Sequence, residues 1–203
     1  LTQDFAYYIM SSMIEASAVN AIELCSAAVI CEGSVEFSHD QLVSSARRLA
    51  YLLERRGVQV TESCRDVSVA LDESLGLFRK RRFLIFSPET SEPDRMYAVN
   101  PDRLANLEFY KNTVVNSLWP CAITATVILF NPSIKDGIEV HSLVDDFKFM
   151  KSLLDLEFIA DPLVSEEELV SKACGFFSSA GWLESGMAGV KVERLSGIRD
   201  LYL

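Results

Sequence analysis

The sequence predicts a mainly α-helical chain with small β-hairpins, built as a tandem pair of winged-helix-like units, each with an added long N-terminal helix. Three observations lead there. One amphipathic pattern occurs twice, about 101 residues apart: Leu42, Val43, Leu49, Leu52 and Leu53 carry one apolar face, and Leu143, Val144, Met150, Leu153 and Leu154 the other. Each follows a long apolar-faced stretch, Tyr7 to Ile30 in the first copy and Phe109 to Phe130 in the second. Each copy then closes with a third amphipathic run (Val67 to Phe78; Leu169 to Phe177) and a basic or glycine turn into a short apolar strand. The two units are residues 1–105 and 106–203, with the break near Asn100-Pro101-Asp102.

The individual elements carry their own signals. Ser38-His39-Asp40-Gln41 fits a capping box, the serine accepting the N3 amide while the glutamine reaches back. Ser165-Glu166-Glu167-Glu168 repeats it, with three carboxylates where the helix dipole favours negative charge. Arg55-Arg56-Gly57 ends the second helix with cations and a glycine for a left-handed cap. In the second copy Asp161-Pro162 is expected to do the stopping. Arg79-Lys80-Arg81-Arg82 closes the third helix and leads into Phe83 to Phe86, a polar tip from Ser87 to Asp94, and Met96 to Val99: a hairpin. Trp182-Leu183, Ser185 to Gly189 and Val190 to Val192 form a shorter one.

Composition narrows the function classes. The chain has 203 residues, 49% hydrophobic and 24% charged, with a net charge of −10. Residues 1–105 hold 11 basic and 15 acidic groups and residues 106–203 hold 8 and 14, so both halves are acidic. Binding to a phosphate backbone by bulk electrostatics is disfavoured. Cys25, Cys31, Cys64, Cys121 and Cys174 are odd in number and lack CxxC spacing, which predicts reduced core cysteines and a reducing compartment. The longest apolar run, Pro120 to Phe130, is shorter than the roughly 20 residues of a transmembrane helix. The first residue is Leu1 and helical pattern starts at once, which predicts a fragment of a longer protein.

Few residues offer chemistry. His141-Ser142-Leu143-Val144-Asp145-Asp146 contains H-x4-D, in which a histidine acts as general base and an aspartate orients it. The repeat places His141 opposite Asp40 and Asp146 opposite Ser45, so the motif reads as the start of an ordinary amphipathic helix. No catalytic residue, metal site or cofactor is expected. The carboxylates of Glu166, Glu167 and Glu168 point in different directions on a helix, and His39 and His141, 102 positions apart, have no third partner for a metal. The candidate site is instead Arg79, Lys80, Arg81 and Arg82, with Arg47, Arg48, Arg55 and Arg56 as further cations: a place to meet an anion, as nucleic acid or a lipid headgroup, or else charges that complement a helix end and pair with surface carboxylates.

Leu107-Glu108-Phe109-Tyr110-Lys111-Asn112, running on through Trp119-Pro120-Cys121-Ala122-Ile123, resembles the region that follows the catalytic domain in the membrane-associated glycerol-3-phosphate acyltransferases. This is the bacterial and mitochondrial family, which includes dihydroxyacetone-phosphate acyltransferase. Met10 to Ile30 and Leu156-Glu157-Phe158-Ile159 are similar to further stretches, so the resemblance spans roughly residues 5–185. It implies a non-catalytic helical C-terminal region of an enzyme that transfers an acyl chain from acyl-CoA or acyl-carrier protein to glycerol 3-phosphate in phospholipid biosynthesis. The family's catalytic motif lies upstream, so none of its residues transfers to this chain. The implied partners are the catalytic domain of the same parent chain and a membrane surface, not nucleic acid. The implied location is the cytoplasm-facing side of a bacterial inner or mitochondrial outer membrane. The other reading of the pattern is a tandem winged-helix module that binds a protein.

Overall fold

In order along the chain, residues 2–33, 36–87, 95–133, 137–154, 157–161, 163–186 and 189–192 are described in the computed structural model. Seven α-helices occur among them: α1 (Thr2–Ala16), α2 (Ala21–Glu32), α3 (His39–Arg55), α4 (Val67–Arg81), α5 (Leu104–Phe130), α6 (Val140–Leu153) and α7 (Glu166–Ser179). The strands are β1 (Phe37–Ser38), β2 (Leu84–Phe86), β3 (Met96–Val99), β4 (Leu183–Gly186) and β5 (Gly189–Val192). The protein is therefore mainly helical with small antiparallel sheets. The expected hairpin tip at residues 88–94, Leu156 and Pro162 lie outside the described residues.

The chain divides into two compact units, one spanning Ala16–Ser117 and the other combining Leu1–Glu15 with Leu118–Leu203. In the first, α2, α3 and α4 meet around Leu24, Ala28, Leu42, Leu49, Leu53, Leu71 and Phe78, all buried. Burying leucine and phenylalanine side chains is worth about 1.5–3 kcal/mol each, which far outweighs the weak helix propensity of α2's serine and β-branched residues. β3 lies at the centre of the sheet, in the order β1-β3-β2, pairing antiparallel with both neighbours. Tyr97 on β3 sits between Phe37 and Phe86, with ring centroids 5.8 and 5.3 Å away.

The second unit repeats the plan. The C-terminal half of α5 is followed by α6, α7 and the β4–β5 hairpin, with Ile138, Leu143, Phe147, Val170, Phe177 and Leu183 buried. Its aromatic pair Phe177–Trp182 (5.9 Å, 34° between planes) matches Phe78–Phe83 (5.7 Å, 34°) in the first unit. Trp119 stacks on Phe147 at 6.2 Å and on Phe158 at 5.9 Å.

Three expectations are corrected. The stretch from Tyr7 to Ile30 is two helices, not one. Asn20 takes a β conformation and caps α2: its side-chain oxygen accepts the Glu23 amide at 3.1 Å, while the Asn20 amide donates to the Glu23 carboxylate at 2.9 Å. The residue before it, Val19, exchanges backbone hydrogen bonds with Gln59 and Thr61 at 2.8 and 2.9 Å, and that bridge is incompatible with a continuous helix. Second, α6 stops at Leu153, well short of Asp161. The Leu154 carbonyl accepts the Glu157 and Phe158 amides, the chain turns, and Phe158 reaches Trp119, leaving Leu153 exposed rather than on the apolar face. Third, Ser165 accepts the Glu168 amide at 3.2 Å, but Glu168 pairs with Lys172, so the return half of that box is missing. The Ser38–Gln41 box forms in full, at 3.2 and 2.8 Å.

Among the described residues one helix, residues 101–130, is long and apolar enough to cross a membrane by length and composition, which the shorter run from Pro120 did not suggest. Of its apolar window, 67% is buried inside the protein, as in the core helix of a folded domain.

Candidate functional site

The cationic corner is built by the way α4 ends. Phe83 donates its amide to the Phe78 carbonyl at 2.9 Å and Arg82 donates to Arg79 at 3.2 Å, the paired bonds of a Schellman cap. Such a cap needs a left-handed residue, and here it is Arg82, with φ 58°, the one non-glycine residue of positive φ among those described. Asn100 holds it, donating its side-chain amide to the Arg82 carbonyl at 2.8 Å. At the same point of α7, Gly181 (φ 70°) donates to Ser178 at 3.0 Å and Trp182 donates to Phe177 at 2.9 Å. The two caps share the same pair of backbone bonds, with an arginine at the left-handed position in one and a glycine in the other.

All four side chains from Arg79 to Arg82 are exposed. Arg79 lies over the Phe86 ring at 5.0 Å, so its guanidinium is partly committed to the sheet. Among the described residues, no ion pair includes Lys80, Arg81 or Arg82, and their charges face water beyond the last carbonyls of α4. Two of the other sequence-predicted cations have local duties. Arg48 donates to Ser44 and Ser45 at 2.8 Å each, and Arg55 covers Tyr51 at 5.3 Å.

The H-x4-D motif does not assemble. On α6 His141 lies 3.5 Å from Asp145, four residues on, both of them exposed. Asp146 is one residue further round the helix and instead accepts from the Asn131 side chain at 3.3 Å. The acidic triplet of α7 is similarly occupied: Glu166 pairs with Lys151 at 2.5 Å, Glu167 with Lys148 at 2.6 Å and Glu168 with Lys172 at 2.6 Å. Among the described residues no group of three potential metal ligands is found.

Three of the five thiols are poor nucleophiles. Burial pushes Cys25 and Cys174 up to about 12 and raises Cys64, so at neutral pH they stay protonated. Beside α3 runs an open groove of about 860 Å³, floored by Leu24, Leu53 and Cys64 and flanked by Arg47, Glu54 and Arg65. It mixes both signs of charge with an apolar floor and holds no nucleophile paired with a base. The sequence reading missed this groove, because its lining brings Leu24 of α2 against residues 47–67 of separate elements.

What the fold and its surface define is a helical region with one cationic corner and, among the described residues, no assembled reaction centre. The family model described as the glycerol-3-phosphate acyltransferase C-terminal region matches residues 1–201, and the chain belongs to that family. Among curated proteins none matches the chain.

Proposed function

We propose that this chain is the non-catalytic C-terminal helical region of a glycerol-3-phosphate 1-O-acyltransferase, packed on the catalytic domain of the same polypeptide. The observation that carries this reading is the family match over residues 1–201. The separation of His141 from Asp146 and the protonated thiols agree with chemistry located elsewhere in the parent. The test is direct: the coding sequence upstream of Leu1 should encode an acyltransferase domain, and a parent without one overturns the reading.

Within that role Lys80, Arg81 and Arg82, with Arg79 beside them, form a contact for anionic lipid headgroups at a cytoplasm-facing membrane surface. Supporting it is the left-handed Arg82. That conformation costs a non-glycine residue about 1–2 kcal/mol, and Gly181 shows that the cap itself does not need an arginine. Changing Lys80, Arg81 and Arg82 together to Glu should cut retention of the parent protein on vesicles containing phosphatidylserine at low salt. Unchanged retention refutes the headgroup contact.

A second reading is favoured by the matched caps and aromatic pairs of the two units: tandem winged-helix-like repeats, residues 1–105 and 106–203, acting as a protein-interaction module. It predicts a stable protein partner outside the parent chain.

A further inference from the structure

α1 carries an apolar surface that the described fold does not use. From Phe5 to Ile14 the sequence contains no charged residue. Tyr7, Ser11 and Ile14, which share one side of the helix, are its less exposed residues, and Ser11 is buried. Phe5, Ile9 and Met13, spaced i, i+4 and i+8, form the opposite side with Tyr8 and Met10 flanking them, and all five are exposed, Met13 at 67% and Phe5 at 64%. Ser12, between them, donates to the Tyr8 carbonyl of its own helix at 2.9 Å, so the Tyr8 hydroxyl is the polar group left on an otherwise apolar face.

Five such side chains at about half exposure or more present on the order of 500 Å² of surface, at the scale where an apolar patch marks an interface. Two features choose between occupants. A helix that lies in a bilayer surface couples its apolar face to a cationic one, and the stretch from Phe5 to Ile14 has no cation. A second copy would bury this face twice, about 1,000 Å² in all, below the roughly 1,600 Å² typical of a stable dimer. A partner tethered in the same polypeptide needs less, because the linkage supplies an effective concentration in the millimolar range.

We infer that the Phe5–Ile9–Met13 face of α1 is the contact surface for the acyltransferase part of the parent polypeptide, an apolar docking site on that domain. This rests on the proposed function and adds the surface that makes the contact. Methionine oxidation by dilute hydrogen peroxide, followed by peptide mass spectrometry on the intact parent polypeptide, tests it. Met10 and Met13 should oxidise at least tenfold more slowly than in the same polypeptide unfolded in guanidinium, independently of concentration and without vesicles. Rates within threefold of the unfolded ones overturn the inference. So does protection that grows with protein concentration, which would mean a second copy, or protection that requires phosphatidylcholine vesicles, which would mean a bilayer. Glycerol-3-phosphate acylation measured on the same sample separates the failures. An active parent with exposed methionines removes only the α1 contact, whereas a parent without an acyltransferase part removes both.

Discussion

The side-chain amide of Asn100 donates to the carbonyl of Arg82 at 2.8 Å, fastening a left-handed arginine at the end of α4. The backbone would prefer glycine there, as Gly181 demonstrates at the end of α7. Arg82→Gly should therefore raise stability by about 0.5–1 kcal/mol, and Gly181→Ala should lower it by about 1 kcal/mol. A Cβ at Gly181 meets nothing within 4 Å, so that loss is backbone strain alone. Urea denaturation of the two variants checks both signs.

Asn20 decides that α1 and α2 are separate helices. Asn20→Ala removes the side-chain acceptor of the Glu23 amide, leaving only the backbone half of the capping box, and should cost about 1 kcal/mol, within the 0.5–2 kcal/mol range of N-cap losses. Far-ultraviolet circular dichroism at 20 °C should barely change, while the midpoint of urea unfolding falls.

Trp119 lies stacked against Phe147 and Phe158, and that stack holds the C-terminal half of α5 to α6 and to the segment after it. Phe147 is fully buried, so Phe147→Ala should cost about 3–5 kcal/mol through lost burial and the cavity left behind. A red-shifted indole emission would accompany the loss. An unchanged unfolding midpoint would contradict this packing.

The α6–α7 pairs give a pH dependence of definite sign. A hydrogen bond from Lys151 holds Glu166 below the usual carboxylate range, and one from Lys148 does the same for Glu167. Their contribution is present above the unfolded glutamate value of about 4.3 and is lost as pH falls through the depressed folded values. Lys148 is shifted up by its hydrogen bond to Glu167, so its share is present below about 10.4 and is lost as pH rises through the raised folded value. Lys151→Met should lower neutral-pH stability by no more than about 1 kcal/mol and flatten the acid limb between pH 5 and pH 3. Thermal midpoints across that range provide the check.

Much of this was legible in the sequence because local signals agreed with tertiary structure. Ser38 and Gln41, the leucines of α3 and Gly57 all point to one helix with two marked ends, and the helix forms between them. The same letters were harder to read where packing overrides them. Asn20 and Glu23 spell a capping box, yet the apolar run on either side reads as unbroken helix until Val19 is seen bridged to Val60. No glycine or proline marks the end of α6 at Leu153; the chain turns about the Leu154 carbonyl and Phe158 packs on Trp119, a contact that spans some forty residues of chain. Periodicity also cannot say which side of α1 is covered, since Phe5 to Ile14 is apolar nearly all round. The cationic residues at 79–82 were visible at once, but the strained Arg82 among them depends on backbone geometry that four consecutive basic letters do not reveal.

The most direct test of the whole account is acyl transfer to glycerol 3-phosphate, measured with radiolabelled acyl-CoA on the parent polypeptide and on its His141→Ala variant. The account predicts lysophosphatidate formation by both at the same rate within experimental scatter. No transfer by the parent, or transfer abolished by His141→Ala, would contradict it.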